Sequence, residues 1–311
     1  MNSWSELLDE SQRVKSERPE NPDAAVQFLN QKRNSLVREL SSKTGRNTIL
    51  YFSMFMNKPD HPDVRITDKD INAFMENIHK MDKKKGLDLI LHTPGGDIAV
   101  TEQIVSYLRS FFNGDIRAII PQMAMSAGSM IAVSCKEIVM GRQSCLGPFD
   151  PQLRGLDCQL VVKEFYKAVN DVEEHPASLG LWQSILSRLD PTLITQCQQA
   201  DQLADDLTQM LLSDKGFDEK TEQAVRNLFC QNSESKTHNR HIDREKCRSA
   251  GLNIIDLEAD QTMQDIVLGI HHCCMILSEQ SNIIKIVENN IGGGYYVHTP
   301  VQPSPGNGQR S

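Results

Sequence analysis

From Thr48 to Met140 the chain alternates short apolar runs with stretches whose apolar residues recur at helical spacing, and this alternation limits the possible folds more than any other feature. Thr48 to Met56 reads as a strand and Asn57 to Arg65, with Pro59 and Pro62, as a loop. Beyond Thr67 and Asp68, both good N-cap types, Ile71, Phe74, Ile78 and Met81 fall on one helical face. Leu87 to His92 is a second strand, followed by a buried helix marked by Ile98, Ile104, Val105, Leu108, Phe111 and Phe112. Asp115 to Pro121 is a third strand, Ala127 to Cys135 a helix, and Glu137 to Met140 a fourth strand. Strands separated by helices imply crossover connections, so the expectation is an α/β fold.

The flanks read differently. Residues 1–45 are polar apart from a stripe through Val26, Leu29, Leu36, Val37 and Leu40, which predicts an N-terminal helical appendage resting on something larger. The main domain then spans 46–291. Its later half is helical through Leu160 to Val172, Ala177 to Leu212 with a break near Pro191, Glu219 to Phe229 and Met263 to Ile284, with one late strand from Leu252 to Leu257. The glycine triplet from Gly292 and the prolines at 300, 303 and 305 predict a flexible tail over 292–311.

Charge and cysteine usage exclude several classes. Lys and Arg number 33 against 41 Asp and Glu, a net charge of −8, which is the wrong sign for a protein that neutralises nucleic-acid phosphates. Nine charged residues among the first twenty-five leave no room for the apolar core of a signal peptide. Ala118 to Cys135 is uncharged for eighteen residues, but Pro121, Gln122, Ser126, Gly128 and Ser129 break it, and it reads as strand, turn and buried helix instead of a membrane span. Eight cysteines without a C-x-x-C pair point to a reducing cytoplasm. His271, His272, Cys273 and Cys274 point four ways from a helix and cannot surround one ion, so no metal and no cofactor is expected.

The chemistry concentrates at two corners. Thr93-Pro94-Gly95-Gly96 ends one strand, where the absence of a Cβ at Gly95 lets a substrate approach the backbone. Ser126 stands between Met125 and Ala127-Gly128 where a helix starts. If the corners meet, the amides of Gly95 and Ala127 can donate to an oxyanion beside the serine hydroxyl. A plain turn and a plain N-cap explain the same residues, and neither a G-x-S-x-G elbow nor a Walker lysine is present.

Leu91-His92-Thr93-Pro94-Gly95-Gly96, Ala124 to Ser129, Glu137 to Gly141 and Leu146 to Gln152 together resemble the serine dehydrogenase proteinase family, part of the ClpP/crotonase superfamily and related to signal peptide peptidase A. Thr237-His238 and Ile242 resemble a later block of that family, and the likeness runs from about Arg33 to Asn282. The resemblance implies a spiral of ββα units, Ser126 as nucleophile, Gly95 and Ala127 as oxyanion donors, a peptide or protein substrate and a homo-oligomer.

A serine needs a base. Asp150 stands where ClpP would have histidine, so the expected acceptor is a lysine, with Lys163 slightly preferred over Lys167 one helical turn later. His238 is a distant alternative, His241 stands where the family shows proline, and His92 reads as a packed residue. Two other functions stay open: a crotonase-like enzyme holding a thioester enolate, and a catalytically silent oligomer that binds partners.

Overall fold

The structure, a computed structural model, describes residues 2–213, 216–230 and 240–299. In chain order the elements are α1 (Trp4–Glu17), α2 (Ala24–Thr44), β1 (Asn47–Ser53), α3 (Lys69–Ile78), β2 (Leu87–His92), α4 (Ile98–Phe112), β3 (Ile116–Ile120), β4 (Met123–Ala124) and α5 (Ala127–Ser134). There follow β5 (Glu137–Met140), β6 (Cys145–Leu146), β7 (Gln152–Leu153), β8 (Leu156–Asp157), α6 (Cys158–Glu174), α7 (Leu179–Leu186), α8 (Leu193–Ser213) and α9 (Glu219–Cys230). The chain closes through β9 (Ile242–Asp243), α10 (Arg244–Ser249), β10 (Ile254–Asp256), α11 (Gln261–Gln280), β11 (Ile283–Asn289) and β12 (Gly294–His298).

The main sheet has the order β10-β5-β3-β2-β1-β11-β12. Its first five strands are parallel, and β11 and β12 extend it antiparallel. Because side chains alternate across a strand, one set of residues feeds each of two cores. Ile49, Tyr51, Leu89, Leu91, Ala118 and Ile120 pack beneath α3, α4, α5, α8 and α9. Leu50, Phe52, Ile90, Ile119, Val139 and Ile286 pack beneath α2 and α11. Burial on both faces explains why these strands read as continuous apolar runs. Each such Leu or Ile contributes about 1.5–3 kcal/mol. A smaller layer, β4-β6-β9, stands at the carboxyl ends of the parallel strands and carries the turn before Ser126. The uncharged stretch from Ala118 to Cys135 is thus strand, turn and buried helix, and no helix among the described residues is long and apolar enough to cross a membrane.

Three features of the flanking segments bear on the sequence reading. Leu29, Leu36, Val37 and Leu40 of α2 are fully buried against α11, and the Arg33 guanidinium donates from Nε and Nη2 to the two carboxylate oxygens of Glu288, both at 2.7 Å, with neither residue exposed. Helix α11 stops at Gln280, and Ile283–Asn289 forms a strand; the apolar run that suggested a longer helix is β-branched, and Lys285 within it is neutralised by Asp70 at 2.8 Å. Gly294–His298, assigned to the tail from its glycines, pairs with β11, because Tyr295, Tyr296 and Val297 are strand-forming residues and the Tyr296 hydroxyl reaches Glu288. Thr237-His238 and the prolines at 300, 303 and 305 lie outside the described residues.

Candidate active site

Backbone hydrogen bonds bring the two corners together. Thr93 N–H donates to Met123 O at 3.3 Å and Met125 N–H to Thr93 O at 2.9 Å, joining the end of β2 to β4 in parallel. On the other edge of the glycine corner, Ile66 N–H donates to Gly95 O at 2.8 Å and Asp97 N–H to Ile66 O at 3.0 Å. Three chain segments therefore run side by side, and glycine is required at their crossing. Gly95 has φ +93°, and a Cβ there would stand 2.7 Å from Met125 O and 2.8 Å from Ser126 Cβ. A Cβ on Gly96 would collide with the backbone N and O of Ile66.

Ser126 occupies φ 49°, ψ −121°. Gly128 N–H donates to Met125 O at 2.8 Å and closes a turn whose first central residue has the positive φ that a type II′ turn asks of glycine. Holding serine there costs about 1–3 kcal/mol, which the surroundings must offset. Ser129 Oγ donates to Ala124 O at 2.6 Å and accepts from Gly147 N–H at 2.7 Å. A Cβ on Gly128 would strike Thr93 Cγ2, and one on Gly147 would lie 3.1 Å from Ser126 N. A strained serine elbow is therefore built without the G-x-S-x-G sequence, with Ala124 in place of the first glycine and Gly128 as the second.

Ser126 Oγ has no hydrogen bond among the described residues. Two amides beside it are also unbonded. Ala127 N–H is the first of α5, where orphan donors are expected, and lies 3.0 Å from the place a Gly95 Cβ would occupy. The second is Gly96 N–H, not that of Gly95. Gly95 N–H donates to Thr93 Oγ1 at 3.1 Å, a side-chain turn of the kind threonine makes two residues before an amide. Thr93 in the sequence is the signal that could have separated the two glycines.

The corners open onto a cleft of about 600 Å³. It is lined by Pro94, Gly96, Met125 and Ser126 of the two corners, by Phe55 and Arg65, by Ala200 and Leu203 of α8, and by Pro151, Gln152 and His241. Its ionisable residues, among those described, are Arg65, Asp97 and His241. Asp97 Oδ1 accepts from Val100 N–H at 3.0 Å and caps α4. His241 is exposed and makes no hydrogen bond or ion pair among the described residues. Lys163 and Lys167 are exposed on α6 and do not line the cleft, and Lys167 faces Glu164 at 3.4 Å. Asp150 is 2% exposed, between Phe149 and Pro151. His238 lies outside the described residues.

His92 is a packed residue. It stacks on Phe52 at 4.2 Å and against Phe55, whose ring reaches the cleft, and its Nδ1 meets Ser53 O at 3.1 Å. Burial lowers its pKa to about 4, against the opposing hydrogen bond, so the ring is neutral at physiological pH. Cys145, on the strand paired with β4, is pushed up to about 11 by burial and is no competing thiolate.

Residues 20–268 match the family model of the ClpP-like SDH-type serine proteinase. Two uncharacterized proteins of Methanocaldococcus jannaschii are similar, one 26% identical and the other 29% identical over 238 residues. Each alignment covers 75% of this chain, and respectively 75% and 77% of the relative.

Proposed function

Because the chain belongs to the ClpP-like SDH-type serine proteinase family, we propose that it is a serine hydrolase acting on peptides, with Ser126 as its nucleophile. The observation that carries this reading is the strained, unbonded Ser126 hydroxyl opening onto a cleft beside two unbonded amides. Strain of that kind persists where a fold has a use for it, whereas a serine serving only as N-cap would accept a helix amide on its hydroxyl, and the Ser126 hydroxyl accepts none among the described residues.

Ser126 Oγ attacks the scissile carbonyl, and the resulting oxyanion is held by Gly96 N–H and Ala127 N–H. The tetrahedral intermediate collapses, the amine leaves with a proton, and water releases the acyl group from Ser126. The proton acceptor is assigned to the histidine-bearing segment that leads into β9, in which His241 lines the cleft. Lys163 and Lys167, exposed on α6, are the alternative. The homo-oligomer belongs to the same proposal, supported by the exposed Leu160, Tyr166, Val169, Leu179, Leu181 and Ile185 on α6 and α7, as does a place in the cytoplasm.

The test is labelling by a fluorescent serine-directed phosphonate, comparing wild type with Ser126→Ala, His241→Ala, His238→Ala, Lys163→Ala and Lys167→Ala. Loss of label in Ser126→Ala and in one histidine variant, with circular dichroism intact, is the expected result. Undiminished labelling of Ser126→Ala removes the nucleophile. Loss in a lysine variant but in neither histidine variant moves the base to α6. The same two amides would also hold a thioester enolate, so thioester turnover that survives in Ser126→Ala would move the protein to that class.

A further inference from the structure

We propose that Arg65 is the anion-recognition residue of this cleft, so that the favoured substrates are peptides bearing a carboxylate within about two residues of the scissile bond. The inference rests on the peptide-binding reading of the cleft and adds a substrate class to it.

The backbone around Arg65 is clamped on several sides. Ser53 Oγ donates to Val64 O at 2.6 Å, Lys285 Nζ donates to Arg65 O at 2.8 Å, and Ile66 is bonded at both its N–H and its carbonyl to the glycine corner. The side chain is the opposite case. It is exposed, lines the cleft and makes no hydrogen bond or ion pair among the described residues. Several arginines of this fold are engaged, Arg33 by Glu288, Arg46 and Arg117 by Asp88, Arg226 by Asp205, and Arg244 by Glu258. The exposed side chains of Arg18, Arg38 and Arg188, which like that of Arg65 pair with none of the described residues, lie away from the cleft. In a chain with eight more acidic than basic residues, an arginine that lines the cleft without a carboxylate partner among the described residues is the counter-charge for a substrate carboxylate. Asp97, the acidic residue on the same cleft, makes no ion pair with Arg65 and is turned to its helix cap.

Geometry sets the reach. Arg65 precedes the residue that bonds Gly95 O, so its side chain leaves the segment next to the corner that touches Ser126. Neighbouring strands lie about 4.8 Å apart and an extended peptide advances about 3.3 Å per residue, which puts the guanidinium opposite a substrate position one or two residues from the attacked carbonyl. The planar fork of arginine matches a carboxylate through two parallel hydrogen bonds.

Binding is measured on the Ser126→Ala protein, where turnover is not needed, by fluorescence anisotropy of labelled peptides differing only in Glu or Gln, and of a neutral peptide with a free or an amidated C-terminus. The expected result is binding at least about tenfold tighter for the carboxylate member of one pair, falling to within about twofold when Arg65→Gln is added and partly kept by Arg65→Lys. Which pair shows the effect tells a side-chain carboxylate from a terminal one. Melting temperatures confirm that each variant is folded. Equal affinities, no binding of any peptide, or a preference that survives Arg65→Gln overturns the assignment. A wild type that no phosphonate labels, with the Arg65-dependent preference intact, overturns the hydrolase reading alone.

Discussion

Gly95 and Ser126, thirty-one residues apart, are in van der Waals contact: a methyl group on Gly95 would come within 2.8 Å of Ser126 Cβ. The contact joins the glycine-rich corner to the serine turn and sets the open Gly96 and Ala127 amides beside the hydroxyl. Three consequences can be measured.

The backbone of Ser126 is a place where glycine is at ease and serine is not. Ser126→Gly is therefore expected to be more stable than Ser126→Ala by about 1 kcal/mol, since alanine keeps the positive-φ cost and glycine does not. In a domain of this size that is a difference of about 2–4 °C in melting temperature. Thermal unfolding of the two variants, both without phosphonate labelling, checks it; equal melting temperatures would mean that the elbow stores no strain.

Gly96 has no room for a side chain because Ile66 runs against it. Gly96→Ala must part the two segments, break the Ile66–Gly95 and Asp97–Ile66 bonds and move the open amide. Phosphonate labelling should fall about 10²- to 10³-fold, the cost of losing one oxyanion donor, with destabilisation of about 1–3 kcal/mol. Gly180 of α7, whose added Cβ would meet nothing and whose φ is not positive, is the control position. Gly96→Ala labelling at the wild-type rate would remove Gly96 from the donor pair.

His92 and His271 form a buried pair, ring centroids 5.4 Å apart, beneath the cleft. Burial lowers both pKa values, that of His92 to about 4 and that of His271 well below its ordinary value, with His92 adding repulsion to His271. The unfolded chain takes up these protons first as pH falls below about 6.5, so stability is fully present above that pH and is lost progressively towards pH 4. His92 alone accounts for a loss of roughly 3 kcal/mol over that window. Urea unfolding at a series of pH values should show this slope, and His271→Leu should flatten it. A slope identical in the variant would assign the acid sensitivity to other groups.

Much of the architecture was legible in the sequence. Leu87–His92 and Glu137–Met140 are strands with the boundaries their apolar runs indicate, and α5 begins at Ala127 as the small residues after Ser126 suggest. These signals are local: burial on two faces makes a strand apolar throughout, and a turn needs small residues. Ile283 and Ile284 of β11 fall at the end of the helix expected from Met263 because a short β-branched apolar run does not reveal its period, and the glycines before β12 place that segment in the expected tail. The strand-forming Tyr295, Tyr296 and Val297 become a strand by pairing with β11.

What the sequence determined by itself is the inventory: an α/β chain with two small-residue corners, one ending in glycines and one bearing a serine. Tertiary structure decided the rest. Gly95 is tied to Thr93 while Gly96 stays open, Ser126 is held at a positive φ, and the cleft gathers Arg65 and His241 but leaves Lys163 and Lys167 outside. Hydrogen-bond commitment and side-chain direction at a crossing of three segments depend on which strands lie beside one another, and that is settled by packing of the whole sheet, beyond the reach of residue spacing along the chain.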